Sequence, residues 1–416
     1  MAHTTLHTHG VAPTDSPVVL QVLPALKDGG VETSAIEMAN YIKAQGWQPI
    51  VASAGGPKAG LLAAAAIPQL TLPLASKSPW IILGNAVRLA RFIRDHKVTL
   101  VHARSRAPAW SAWLASRWTG VTYITTFHGT YGLSGGWFKH YYNSVMVRGP
   151  RVIANSLFIR DHIIENYAIP SEQIDIATRG VDPDVWNPAL FDKNAVAATR
   201  AEIDVAEGVP LMVMAGRITK WKGHDLVIEA LGQIADLPWV IAIVGAPDKN
   251  GAYAQQLKAR AAQLGIADRI RWLGSRSDLP RLLAASQLAL SGSTQPEAFG
   301  RVAIEAMAMG VPVVATGHGG SLETVVDGKT GWLVRPEPNP EPASFGVFTP
   351  QAFAEKLREA LQNPKQLATM SKAARTHVLG IFTVERCCAA EMQAYRKVLG
   401  LDTPSARAKN KKKAAA

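Results

Sequence analysis

Short, mostly apolar runs alternate with helical segments along most of the chain. Val18–Leu23, Pro49–Ala54, Thr99–Ala103, Tyr123–Phe127 and Arg151–Ala154 lack the alternation of a half-exposed strand. Strands of this kind, separated by helices, predict a parallel sheet covered on both faces. The loop Lys27-Asp28-Gly29-Gly30 links the first strand to a helix over Glu32–Gln45. The pattern lapses over residues 186–210 and then restarts. Strands are expected at Leu211–Ala215, Val240–Val244, Ile270–Leu273, Leu288–Ser291 and Pro312–Ala315. Helices are expected at Asp225–Ile234, Tyr253–Leu264, Leu279–Ala285 and Val302–Met309. Two such series imply an α/β protein of two facing Rossmann-like domains. Ligands then sit beyond the carboxyl ends of the strands, in the cleft between the domains. Prolines 336, 338, 340 and 342 mark an extended, exposed loop over Arg335–Pro350. Helices Gln351–Asn363, Gln366–Val378 and Val384–Leu399 close the chain. The division is a disordered 1–16, a domain over 17–190, a domain over 191–381, a closing helix in 382–400 and a basic tail over 401–416.

Composition narrows the class. Of 416 residues, 48% are hydrophobic and 18% charged, an ordinary globular balance. The two cysteines are adjacent, Cys387 and Cys388, which excludes a disulfide scaffold and a CxxC site. No apolar run is long enough for a membrane span, and the N-terminus lacks the pattern of a signal peptide. A cytoplasmic protein is expected.

The formal net charge of +12 is uneven. Residues 1–190 hold 16 Lys or Arg against 11 acids, and Pro404–Ala416 holds five basic residues and no acid. Arg88, Arg91, Arg94 and Lys97 recur at helical spacing beside Leu89, Phe92 and Ile93. Positive charge of this kind is a solvated surface or an attraction to anionic lipid. Zinc-finger spacing, an RNP-like strand and heptads with a basic region are all absent, so no nucleic-acid partner is expected.

The chemistry gathers at a few loops. There is no G-x-G-x-x-G and no P-loop; Gly317-His318-Gly319-Gly320 has Leu322 where a third glycine belongs. Glu305 sits in the otherwise apolar Val302–Met309, so its carboxylate must be paired or hydrogen-bonded. Glu297 lies eight residues earlier in sequence, in the loop Ser293–Gly300. Between the two a helix begins, and its free N–H groups suit a diphosphate. Arg217 and Lys222 follow the strand Leu211–Ala215, beside Gly216 and Gly223, and bring cations to the same kind of edge. Gly29 and Gly30 follow the first strand and open a helix, as an ordinary turn or as a close approach to phosphate. His128 follows Tyr123–Phe127 at the same edge, as a structural hydrogen-bonder or at a reacting sugar. Asp182-Pro183-Asp184 reads as a turn rather than a metal site. His3, His7 and His9 belong to a disordered end. No Ser–His–Asp set or HExxH is present.

These residues resemble a known family. Glu297-Ala298-Phe299-Gly300-Arg301 through Glu305 resembles the E-x7-E motif of family 4 retaining glycosyltransferases with the GT-B fold. Gly216-Arg217 through Lys222-Gly223 is similar to their G-R-x4-K-G. Gly29-Gly30-Val31-Glu32, Phe127-His128-Gly129 and Arg179-Gly180-Val181-Asp182 resemble three further family elements in the right order. The resemblance implies sugar transfer from a UDP- or GDP-sugar with retained configuration and no metal or other cofactor. Glu297 then contacts the donor sugar and Glu305 the ribose. Phe299 and Gly300 fall within the donor loop, Arg217 and Lys222 hold the leaving diphosphate, Gly29 and Gly30 approach it, and His128 lies near the reacting carbon. It also implies that the last helix returns to the N-terminal domain. Two departures stand out: Ala298 replaces a frequent glycine, and Arg179 replaces an asparagine and adds a cation near the acceptor or hinge. The expected acceptor is a glycan or lipid-linked hydroxyl in lipopolysaccharide or other cell-envelope assembly, with peripheral association at the anionic inner membrane face. A soluble acceptor and a catalytically silent binding module are the alternatives.

Overall fold

The computed structural model describes residues 16–27, 29–132, 136–248, 250–338 and 346–401. Asp28, the amino-terminal histidines and the basic tail lie outside them, so the readings placed there are not tested. The chain forms two compact units, one of Met1–Thr178 with Val384–Ala416 and one of Arg179–Thr383.

The first unit holds β1 (Val18–Val22), β2 (Gln48–Ser53), β3 (Gln69–Thr71), β4 (Leu100–Ala103), β5 (Thr122–Phe127), β6 (Val152–Ala154) and β7 (Ile174–Ile176). They pair in the order β3-β2-β1-β4-β5-β6-β7, every pair parallel. All five residues of β1 are buried, which is why it reads as a continuous apolar run. Val19, Leu100, Ile124 and Ile153 pack on Met38 and Ile42 of the helix Gly30–Ala44 and on Met392 and Tyr395 of the last helix, Val384–Val398.

That last helix is also held by a buried polar network. The Arg104 guanidinium donates to Gln21 Oε1 at 2.6 Å and is ion-paired with the Glu391 carboxylate. Tyr395 Oη donates to Glu391 Oε1 at 2.8 Å, and His102 Nδ1 lies 2.7 Å from the same hydroxyl. Burial works against the Arg104 charge, but Glu391 and Tyr395 outweigh it and hold the guanidinium above its ordinary pKa.

The second unit holds β8 (Leu211–Ala215), β9 (Val240–Val244), β10 (Ile270–Gly274), β11 (Leu288–Ser291), β12 (Val313–Thr316) and β13 (Gly331–Val334), in the order β10-β9-β8-β11-β12-β13 and again all parallel. Met212 and Met214 join the core on one face of β8, Leu211 and Val213 that on the other. Helices His224–Gly232, Ala252–Gln263 and Pro350–Gln362 supply the first face, Arg301–Ala308 and Pro364–Ile381 the second.

Several expectations are corrected. The first unit ends at Thr178 rather than residue 190, because Val181 N–H donates to the Phe382 carbonyl at 2.9 Å and ties the segment to the second unit. Arg179 is buried, so it adds no exposed cation. Three short strands, β3, β7 and β13, extend the sheets beyond the expected set. The proline-rich loop is not simply exposed: Glu337 pairs with Val347, and Phe348 is buried among core residues. Leu89, Phe92 and Ile93, beside the basic cluster, are core residues. Among the described residues no helix is long and apolar enough to cross a membrane.

Candidate functional site

In an open parallel sheet the chain leaves two neighbouring strands in opposite directions at one point, and a crevice opens there. In the second unit that point lies between β8 and β11. The loop after β8 carries Gly216, Arg217, Lys222 and Gly223; the loop after β11 carries Ser293 and Glu297. The two loops touch. Gly223 has φ +67°, and a β-carbon there would overlap the Gly292 carbonyl. Thr294 N–H donates to the Trp221 carbonyl at 2.8 Å. A side chain at Gly223 would therefore be strained by its backbone and blocked by its neighbour.

This crossing joins two residues 75 positions apart. Lys222 Nζ lies 2.6 Å from Glu297 Oε1, and Ser293 Oγ donates to the same oxygen at 2.6 Å. The side chains of Lys222 and Glu297 are 16% and 14% exposed, enough for a ligand to reach them. The Lys222 ammonium also sits 4.4 Å from the centre of the Trp221 ring. Arg217 is exposed and has no side-chain hydrogen bond or ion pair among the described residues. Among the described residues, the crevice thus offers the paired Lys222 and the unpaired Arg217 as cations.

The glycine cluster dismissed as a dinucleotide fingerprint proves to be the support of the Glu297 loop. Gly320 N–H donates to the Glu297 carbonyl at 2.8 Å. β-Carbons at Gly319 and Gly320 would run into the backbone of Glu297 and Phe299. His318 Nε2 bonds the Ser293 carbonyl at 2.8 Å, and Thr316 Oγ1 donates to it at 2.7 Å. Burial lowers the His318 pKa, which keeps the ring neutral there. Ser293, His318, Gly319 and Gly320 were not legible as site residues, since only the fold brings β11 and β12 together at this edge.

Gly300 takes φ +88° and caps the helix Arg301–Ala308, so Glu297 lies in the loop before the helix and not on it. Glu305 points from that helix, is 9% exposed and meets the Arg301 guanidinium at 3.2 Å. The buried carboxylate is therefore paired, as its apolar surroundings require. The Phe299 side chain is buried in the core, 5.4 Å from the Phe382 ring, which leaves its backbone to face a ligand. Ala298 is not among the residues with positive φ, and alanine there carries no strain.

In the first unit, Gly29 and Gly30 follow β1 and open the helix Gly30–Ala44. Gly29 has extended backbone, and no side chain caps the helix, whose first residue, Gly30, is exposed. His128 follows β5 at the same carboxyl edge of the sheet, half-buried. Asp182 Oδ1 accepts from the Asp184 N–H at 2.9 Å, so Asp182-Pro183-Asp184 closes a turn. Among the described residues no group of three or more His, Cys, Asp or Glu is arranged to hold a metal ion.

Two all-parallel Rossmann-like units, with cations and carboxylates at the switch point of the second, define the GT-B class of glycosyltransferase. Residues 196–377 match the model of the glycosyl transferases group 1, and residues 28–185 that of Glycosyltransferase Family 4. A solved glycosyltransferase from Rickettsia africae is 35% identical, with a TM-score of 0.84 over 93% of this chain and 99% of that one. The chain belongs to the family 4, group 1 glycosyltransferases. Anabaena HepE, solved in complex with UDP and glucose, is 22% identical with a TM-score of 0.79, over 92% of this chain and 100% of that one, a likeness of fold. A D-inositol 3-phosphate glycosyltransferase of Streptomyces avermitilis is 31% identical over 269 residues, 61% of this chain and 54% of the relative. The match thus spans about half the length of that relative.

Proposed function

We propose that this chain is a retaining transferase. It moves a sugar from a UDP- or GDP-sugar to a hydroxyl of an anionic glycan or lipid-linked acceptor in lipopolysaccharide or other cell-envelope assembly. It works in the cytoplasm, at the inner face of the membrane. The observation that carries the reading is the crossing of the β8 and β11 loops, which sets Lys222 against Glu297 with Arg217 left free.

The chemistry follows from those positions. The bond from the anomeric carbon to the phosphate oxygen breaks, and its electron pair leaves on the diphosphate. Arg217, Lys222 and the N–H groups at the start of Arg301–Ala308 neutralise that charge, so no metal is required. Glu297 holds a donor-sugar hydroxyl. Glu305 accepts from the ribose hydroxyls, and Arg301, 3.2 Å away, orients it. The acceptor oxygen attacks from the face the diphosphate leaves, and its proton passes to a phosphate oxygen. Gly29, Gly30 and His128 act on the diphosphate and the donor sugar, as the family resemblance implies. The HepE complex supports a UDP-sugar. The inositol-phosphate relatives favour a second reading, a soluble phosphorylated acceptor.

The test is a panel of nucleotide-sugars incubated with the chain and either an inositol phosphate or a membrane lipid extract, with the product linkage read by NMR. An α-linked product from an α-configured donor is expected. An inverted product, or a folded chain that neither transfers nor hydrolyses any donor, contradicts the reading.

A further inference from the structure

The positive charge of the chain is concentrated in one stretch. Residues 38–160 hold 14 Lys or Arg and a single acid, Asp95, while residues 179–383 are balanced at 21 against 20. The helix Pro79–Asp95 lies in this stretch. Trp80, Leu83, Val87, Arg91 and Arg94 follow one another at steps of three or four residues and are all exposed. They form one stripe, apolar in its first half and basic in its second. Arg88, Arg91 and Arg94 have no carboxylate partner among the described residues.

A second apolar patch lies beside the first. Trp137 and Phe138, at the start of the helix Gly136–Ser144, are 80% and 69% exposed, and Trp80 is 82% exposed. The helix Arg106–Thr119 bridges the two: Ser111 Oγ donates to the Ile82 carbonyl at 3.0 Å, and Trp110 Nε1 to the Tyr142 carbonyl at 3.0 Å. All three helices start from the carboxyl edge of the first unit's sheet, the edge that carries Gly29, Gly30 and His128. Large apolar side chains are seldom exposed together without a partner. Exposed aromatic rings at one end of a helix, with arginines that have no carboxylate partner among the described residues further along it, match the interface of a bilayer, with rings at headgroup depth and guanidiniums on anionic phosphates.

We propose that this surface docks the protein on an anionic phospholipid membrane: Trp80, Trp137 and Phe138 enter the interface, and Arg88, Arg91 and Arg94 lie along the headgroups. The inference deepens the membrane association proposed above by naming its surface. It lays the Pro79–Asp95 flank of the first unit along the lipid, with the aromatic end of that helix at the carboxyl edge of the sheet.

Co-sedimentation of the full chain with phosphatidylcholine vesicles, with and without phosphatidylglycerol, tests it. Binding is expected only to the anionic vesicles. Arg88→Gln, Arg91→Gln and Arg94→Gln together should weaken it on the order of 100-fold. Trp80→Ser, Trp137→Ser and Phe138→Ser together should abolish sedimentation. Substituting the tail lysines Lys411, Lys412 and Lys413 by Gln should leave it in place. Donor hydrolysis in solution should persist in every variant, which separates failure of docking from failure of the transferase reading. The proposal is overturned if the wild-type chain ignores anionic vesicles, if only the tail variant loses binding, or if the aromatic variant merely converts a dimer to a monomer.

Discussion

Lys222→Met removes one charge from the crevice and keeps an unbranched side chain one atom shorter. In the resting protein the Lys222 ammonium and the Ser293 hydroxyl are both 2.6 Å from Glu297 Oε1. The variant leaves Glu297 with the neutral donor alone. A fully buried pair broken this way loses about 3–5 kcal/mol. Here both side chains keep some exposure, and water can reach the carboxylate, so a loss of about 1–3 kcal/mol is expected. The effect on turnover is separate and larger than stability explains. A preorganised donor at a developing oxyanion contributes about 2.7–4 kcal/mol, a factor of about 10²–10³ in kcat. Initial rates of donor hydrolysis and transfer, measured beside urea unfolding, read both quantities. Adding Glu297→Gln should restore most of the stability, because the unpaired carboxylate is gone, and none of the rate. Turnover of Lys222→Met within about threefold of wild type would refute the assignment, since that corresponds to less than about 1 kcal/mol of barrier.

Two further perturbations probe the supports. Glu391→Leu strands the fully buried Arg104 guanidinium and should cost about 3–5 kcal/mol in denaturant unfolding; the double replacement with Arg104→Leu should recover much of it, and an unchanged single variant would contradict a structural role for the network. His224 opens the helix after Lys222 and is buried, and burial lowers its pKa from 6.5 to about 4. The unfolded imidazole therefore takes up a proton between pH 6.5 and 4 that the folded one refuses. Stability contributed by this group is present above that window and falls as pH drops through it, by about 3 kcal/mol in all. The difference in unfolding free energy between wild type and His224→Phe should carry this slope, and a flat difference would contradict it.

The two sheets were legible because their central strands are buried on both faces, and each such strand betrays itself without reference to its neighbours. Three of the four outermost strands, β3, β7 and β13, were not. Gln69–Thr71 has one buried residue of three, so no apolar run marks it. The candidate site positions stood out for a similar reason: Arg217, Lys222 and Glu297 each follow a strand whose end is locally visible. Their relation was not, because the Lys222–Glu297 pair depends on β8 and β11 being neighbours. Arg104 and Glu391 are 287 residues apart, and nothing local announces that a charged residue after β4 will be buried. The boundary between the units was misplaced because the lapse in pattern over residues 186–210 looks like a linker. The chain has by then already joined the second unit, at Val181. The uneven charge was visible in part, as the Arg88, Arg91 and Arg94 cluster. The apolar half of the exposed stripe was not, because Leu89, Phe92 and Ile93 point inward while Trp80, Leu83 and Val87 point out.

The central claim is that a nucleotide-sugar is held at the switch point of the second unit. Titration calorimetry with UDP, GDP and ADP, on the wild-type chain and on Glu305→Ala, tests it most directly. One nucleoside diphosphate should bind the wild type without added metal, and Glu305→Ala should weaken it by about 10-fold to 100-fold, the loss of a charge-assisted hydrogen bond to the ribose. Equal affinity for both proteins, or no binding to a folded wild type, would contradict the account.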